Sequence, residues 1–168
     1  MKIKTIAISA FISGIFLGIV ITAVAINLST GNMMLKEIKS PYDFEKTVEV
    51  LSQRIKSQPG WHVVSVIDQN AEVQKHGGRT IGNFKIIQYC SGKYSSEMLR
   101  SDDRKKIGSM MPKTFAVYEK SDGQVYLSTA NGMVIGKLFG GKTEEIIERV
   151  SVEVENILRF VNFKFTIF

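Results

Sequence analysis

A chain with one thiol can close no internal disulfide, and Cys90 is the only cysteine among these 168 residues. Haem attachment of the Cys-x-x-Cys-His type and multi-cysteine zinc or iron–sulfur sites are excluded on the same count. Histidine is nearly as scarce, with His62 and His76 alone. A catalytic Cys–His pair is conceivable, but nothing in the sequence places either histidine near Cys90. There is no glycine-rich phosphate loop, no carboxylate pair of the kind used in acid–base catalysis, no internal repeat and no low-complexity tract. With no catalytic constellation to build on, the residues favour a binding role over an enzyme without deciding it, and no cofactor is strongly implied.

Charge is missing from one long stretch. Ile6 to Leu28 (IAISAFISGIFLGIVITAVAINL) holds 23 residues without an acid or a base. About 20 apolar residues of helix cross a bilayer core, so residues 1–28 read as a transmembrane anchor. Lys2 and Lys4 precede the run and place the N-terminus on the cytoplasmic side. The remainder is then extracytoplasmic, on the periplasmic side of a single-pass membrane protein with membrane lipid as its neighbour. A cleavable secretory signal is the alternative, since Ala23-Val24-Ala25 fits the small-x-small cleavage pattern. The run is longer than the roughly 7–15 residues of a signal core, which favours a retained anchor. Small residues recur at Ala10, Gly14, Gly18 and Thr22. This four-residue spacing would let another helix approach closely at Gly14 and Gly18, from a second copy or from another membrane subunit.

About 135 residues remain, one domain's worth. Their 20 basic residues exceed the 16 acidic ones by four, a mild excess that suits an anionic surface or an acidic partner. No nucleic-acid-binding motif is present, so nucleic acid is not expected as a partner. Residues 29–34 read as a linker, 35–161 as the folded domain and 162–168 as an apolar tail. Within the domain, Met33 to Lys39 alternates weakly and suggests a first strand. Ser40-Pro41-Tyr42-Asp43 predicts a helix start capped by Ser40. Phe44, Val48, Leu51 and Ile55 follow at helical spacing, and Pro59-Gly60 ends the helix. Trp61–Asp68 and Phe84–Cys90 read as strands, with Ala71–Thr80 a polar connection between them. Tyr94–Ile107 reads as a charged helix or irregular segment. Thr114–Tyr118 and Gln124–Ser128 flank an Asp122-Gly123 turn, a hairpin signal. Gly132–Phe139 suggests a turn or short helix. Thr143 is placed as the cap of a final helix whose apolar stripe runs through Ile147, Val150, Val154, Ile157, Leu158 and Val161. This order predicts an α+β domain, an antiparallel sheet with helices packed on one face.

Several of these segments together resemble the domain of unknown function 302 family. They are the helix with Phe44 and Val48, Pro59-Gly60-Trp61, Ile86-Ile87-Gln88-Tyr89-Cys90, Met111-Pro112, Ala116-Val117-Tyr118-Glu119, Gly123 and Met133. The resemblance covers about Leu35 to Leu158 and implies a compact α+β domain with a TATA-binding-protein-like architecture, which carries no implication of DNA binding. Many members have a second cysteine directly after the Leu-Pro pair. Lys113 stands there in this chain, so two-thiolate chemistry is in doubt.

Three sites follow from the residues. Cys90, Met111 and Met133, with Met110 nearby, could gather soft sulfur donors for copper or haem iron. Methionine filling core gaps is the structural alternative. Cys90 could also be a reactive thiol, and Lys113 would favour its thiolate if the strands after Tyr89 and Pro112 are neighbours. The run Arg100–Lys106 reads as a solvated charged surface, and the tail Arg159–Phe168 requires cover from its own domain, a membrane interface or another subunit. The overall expectation is a non-catalytic, membrane-anchored accessory or binding subunit of a larger assembly. The alternative is a module for a small ligand or soft metal centred on Cys90.

Overall fold

The computed structural model describes residues 11–23 and 33–161. The chain divides into two compact units, Met1–Met34 and Leu35–Phe168. In the first unit a helix, α1, covers residues 11–23. Its apolar side chains, Phe11, Phe16 and Ile19 among them, are exposed, and a Cβ built on Gly14 or Gly18 meets open space. Among the described residues no helix is long and apolar enough to cross a membrane. This corrects the transmembrane anchor expected over residues 1–28. The single-pass topology, the cytoplasmic N-terminus and the periplasmic placement of the domain rested on that span and fall with it. The outer parts of the Ile6–Leu28 stretch, and the tail 162–168, lie outside the described residues.

In the second unit five strands form one antiparallel sheet: β1 (Leu35–Lys39), β2 (Trp61–Asp68), β3 (Phe84–Ser91), β4 (Lys113–Glu119) and β5 (Val125–Ala130), in the order β1-β5-β4-β3-β2. β2 to β5 form a meander, and β1 returns to pair with β5, Leu35 opposite Ala130. The β4–β5 hairpin closes through Gly123 at φ 73°, a left-handed conformation that glycine adopts without a Cβ penalty. A bulge lies between Val63 and Ser65 on β2.

Helices α2 (Phe44–Ser57) and α6 (Gly141–Ile157) carry the apolar stripes that cover the sheet. Leu51, Ile55, Ile146 and Ile157 are buried against Ile87, Phe115, Val117 and Leu127 of the strands. The α+β sheet-and-helix layering expected from the sequence is what the structure shows. α2 begins later than expected. Asp43, not Ser40, caps it by accepting from the Lys46 amide at 2.8 Å. Ser40 is buried and lies 2.6 Å from the Thr47 hydroxyl, so its side chain is engaged elsewhere. α6 likewise starts ahead of Thr143, at Gly140 with φ 67°. The polar Ala71–Thr80 connection contains a short helix, α3 (Gln69–Lys75), capped by Asp68. Between β3 and β4 come α4 (Gly92–Leu99) and a 3-10 segment, Asp102–Met110. After β5, α5 (Gly132–Lys137) packs closely on α6.

Candidate functional site

Consecutive strand residues point to opposite faces, so Lys113, Phe115 and Val117 of β4 share the face that meets the helices. Phe115 and Val117 are fully buried there. Lys113 lies at the start of β4, directly opposite Tyr89 of β3. The chain reaches this point through α4, the 3-10 segment and a cis Met111–Pro112 peptide. That excursion stands away from the sheet and leaves a cavity of about 140 Å³ between it, the strand ends and α6. Met98, Ile107, Met111, Ile135 and Ile146 give the cavity apolar walls. Met110, 47% exposed, brings it to the surface.

Two polar groups stand out against these walls. Tyr89 is wholly buried, its ring stacked on Phe115 at 4.6 Å and tilted against Trp61 at 5.6 Å. Its hydroxyl has no hydrogen-bond partner. Burial pushes the phenol well above its ordinary pKa, with only a small opposing pull from Thr129. The Thr129 hydroxyl gives its own proton to the Thr114 carbonyl at 2.9 Å. Lys113 lines the same cavity, and its ammonium makes no ion pair or hydrogen bond among the described residues. Burial alone holds its ammonium below the usual lysine range, because removing a charge from water without a counter-ion disfavours the charged form.

Cys90 also lines the cavity, its Sγ 2.9 Å from the Ser95 Oγ of α4. Lys113 is paired with Tyr89 rather than with Cys90, whose cross-strand neighbour is His62. Met111 shares the cavity with Cys90, whereas Met133 lines a separate recess beside Ser151 and Glu155. The structure therefore brings two of the three proposed sulfur donors to one cavity and leaves the third outside it. Among the described residues no group of three or more His, Cys, Asp or Glu side chains is placed to hold a metal ion. His76 sits at the exposed end of α3, its Nδ1 2.9 Å from the Glu72 carbonyl. In the Arg100–Lys106 run, Lys105 pairs with Asp102 at 2.5 Å, and the partly buried Arg104 donates to the Met98 carbonyl at 3.2 Å. Beside the cavity wall, Trp61 Nε1 and Tyr94 Oη both donate to Glu153 of α6 at 2.5 Å. Burial opposes ionisation of that carboxyl, but the two donors together with Lys93 and Gln58 hold its pKa below the usual range. Tyr94 is pushed up to about 12, by burial first and then by Glu153.

The family described as domain of unknown function DUF302 matches residues 36–161. The chain belongs to this family. The resemblance read from Pro59-Gly60-Trp61, Tyr89-Cys90 and Met111-Pro112 is thereby shown. Among solved structures, an uncharacterized conserved DUF302 protein from Bacillus stearothermophilus is similar at a TM-score of 0.67 and 18% identity, over 77% of this chain and 98% of that one. At such identity the likeness speaks for the DUF302 fold alone. No curated protein matches the chain. Sequence reasoning had singled out Cys90, Met111 and Lys113. It missed Tyr89, because a tyrosine in an apolar strand reads as core, and the want of a partner for its hydroxyl arises only from the packing around it.

Proposed function

We propose that this DUF302 domain is a non-catalytic binding module that takes a small, mainly apolar organic molecule into the cavity between β3, β4, α4 and α6. The observation that carries this reading is the cavity itself, about 140 Å³ of space with mainly apolar walls. Protein interiors leave few voids larger than a water molecule, and small-molecule sites are concave, mostly apolar and furnished with a few polar groups. An apolar cavity of about 150 Å³ accommodates a benzene ring, so the size fits a single ring or a short branched chain.

The test is a titration of the full-length protein with 4-fluorotoluene, followed by fluorine NMR line broadening and by the melting temperature. Saturable broadening, abolished by Met98→Trp, is the expected result, because the indole would occupy the space between α4 and the sheet. Absence of broadening and of any melting shift up to millimolar probe refutes the reading. A soft-metal site at Cys90 and Met111 is the second reading, favoured by their shared cavity. Stoichiometric copper(I) uptake that is lost in Cys90→Ser would select it.

A further inference from the structure

Resting on the cavity reading above, we infer that the molecule taken in carries an aldehyde group, which Lys113 Nζ captures as a reversible imine while the apolar body lies between Met98, Ile107 and Ile146. Lys113 is the only charged residue lining the cavity. It shares its strand face with Phe115 and Val117, both fully buried against the helices, so its side chain leaves the sheet on the side where the cavity lies. In the adjoining recess, which Lys113 also lines, Glu155 is paired with Lys36. The other titratable groups on the cavity wall are Tyr89, Cys90 and Tyr94. Cys90 contacts Ser95, and Tyr94 donates to Glu153. Burial is the one influence on the Lys113 ammonium, with no carboxylate near enough to oppose it.

An amine is a nucleophile only when it is unprotonated. An exposed lysine is neutral in about 1 molecule in 2,500 at pH 7. Burial without a counter-ion shifts Lys113 toward the neutral form, and lysines desolvated in apolar pockets are the ones that serve as amine nucleophiles. The Nζ lone pair attacks the carbonyl carbon, and the N–C bond forms as the carbonyl π pair moves onto oxygen. One N–H proton passes to that oxygen and gives a carbinolamine. The hydroxyl then leaves with the second N–H proton as one molecule of water, and the N=C double bond closes. Nothing is oxidised or reduced, and hydrolysis reverses the step.

The walls decide between an aldehyde and an acid. A carboxylate would bring a second charge and two acceptor oxygens into mainly apolar surroundings that offer one cation. The nearby hydroxyls are engaged, Thr129 with the Thr114 carbonyl and Ser95 with Cys90. Hydrogen bonds left unmade cost more on a charged group than on a neutral one. A neutral carbonyl compound enters without that penalty, and its imine leaves an uncharged group where an isolated ammonium stood. The space is close to that of a cavity which holds benzene, so the body is a single ring or a short branched chain.

The experiment incubates the full-length protein with benzaldehyde and sodium cyanoborohydride at pH 7 and follows each lysine by peptide mass mapping. The hydride fixes an imine as a stable benzylamine. Lys113 is expected to be labelled at least tenfold faster than the exposed Lys75 of α3, at a rate that saturates in benzaldehyde because the aldehyde first fills the cavity. Saturating 4-fluorotoluene should slow that labelling. Lys113→Met, with its melting curve recorded to confirm folding, should lose the saturable component and keep only the slow, linear labelling of exposed lysines. A lysine with a structural role alone would be labelled linearly and no faster than Lys75. That result, with 4-fluorotoluene still binding, overturns the imine inference and leaves the cavity reading standing. Displacement of 4-fluorotoluene by benzoate without trapping at Lys113 gives the site to an acid and overturns it too. No saturable labelling and no 4-fluorotoluene binding overturns both.

Discussion

Replacing Lys113 by methionine is expected to make this protein more stable. The two side chains are similar in length, and methionine adapts to irregular apolar surroundings, so the packing of the stem against Tyr89 and the cavity walls is retained. What changes is the charge. Lys113 is largely buried, has no counter-ion among the described residues, and its ammonium is disfavoured by burial alone. An unpaired ion withdrawn from water costs several kcal/mol when fully enclosed. For a side chain at the rim of a cavity that reaches the surface, a gain of about 1–2 kcal/mol is the appropriate scale. In a domain of this size that raises the melting temperature by about 3–5 °C per kcal/mol. The pH dependence has a definite sign. The folded pKa of Lys113 lies below its ordinary value of 10.5, so the unfolded chain binds more protons in the window between the two. Wild-type stability therefore rises through that window. The gap between Lys113→Met and wild type is full below the folded pKa and closes as pH approaches 10.5. Urea unfolding of both proteins from pH 7 to pH 10.5 reads this directly. A variant less stable than wild type at pH 7, or a gap that stays constant with pH, would refute the reasoning, because the ammonium would then have a partner.

Other expectations are equally specific. A Cβ on Gly132 would overlap Ser151 Oγ, which itself donates to the Ile147 carbonyl at 2.7 Å. Gly132→Ala should cost about 1–3 kcal/mol as overpacking, and Ser151→Ala in the same chain should recover part of it. Purely additive losses in a double-mutant cycle would count against that contact. Glu153→Gln removes a carboxylate whose pKa is held down by Trp61 and Tyr94. Because the folded pKa is depressed, its stabilisation is present above the unfolded value and is lost as pH falls through the folded one. The variant should be about 1 kcal/mol less stable at neutral pH, with the gap shrinking on acidification in urea melts. Ile146→Ala, in the wall between cavity and core, should cost about 2–5 kcal/mol. It should also enlarge the site, weakening 4-fluorotoluene relative to a bulkier ring.

Much of the fold was legible because local chemistry and global packing agree. Pro59-Gly60 ends α2, Asp122-Gly123 turns the hairpin, and the β-branched runs of β2 and β3 are strands. Where the reading slipped, two residues offered the same local signal. Ser40 and Asp43 are both good caps three residues apart, and burial of Ser40 against Thr47 decides for Asp43. Thr143 looked like a cap, but Gly140 carries the left-handed turn that α6 begins from. α3 was invisible because it buries no side chain, so it imposes no apolar period on the sequence. The membrane span was read from composition alone, and among the described residues no helix is long and apolar enough to cross a membrane. The pairing of β1 with β5 joins segments some ninety residues apart, and no local pattern encodes it.

The site illustrates a different limit. Cys90 drew the eye because cysteine is rare here, yet rarity is a property of composition, while a binding site is a property of what is left unsatisfied. Tyr89 and Lys113 are unremarkable in sequence: a tyrosine in an apolar strand, a lysine after a proline. Only the register that sets them opposite each other on the face that meets the helices brings both to the wall of one cavity. Natural sequences depart from local consistency mainly where function requires it. A strand position that faces a core is a costly place for an ammonium, and valine or methionine would serve the fold better. That Lys113 sits there uncompensated is the feature of this structure hardest to account for by folding alone. The stability that Lys113→Met should gain measures that cost directly, because burial alone disfavours the ammonium at this position.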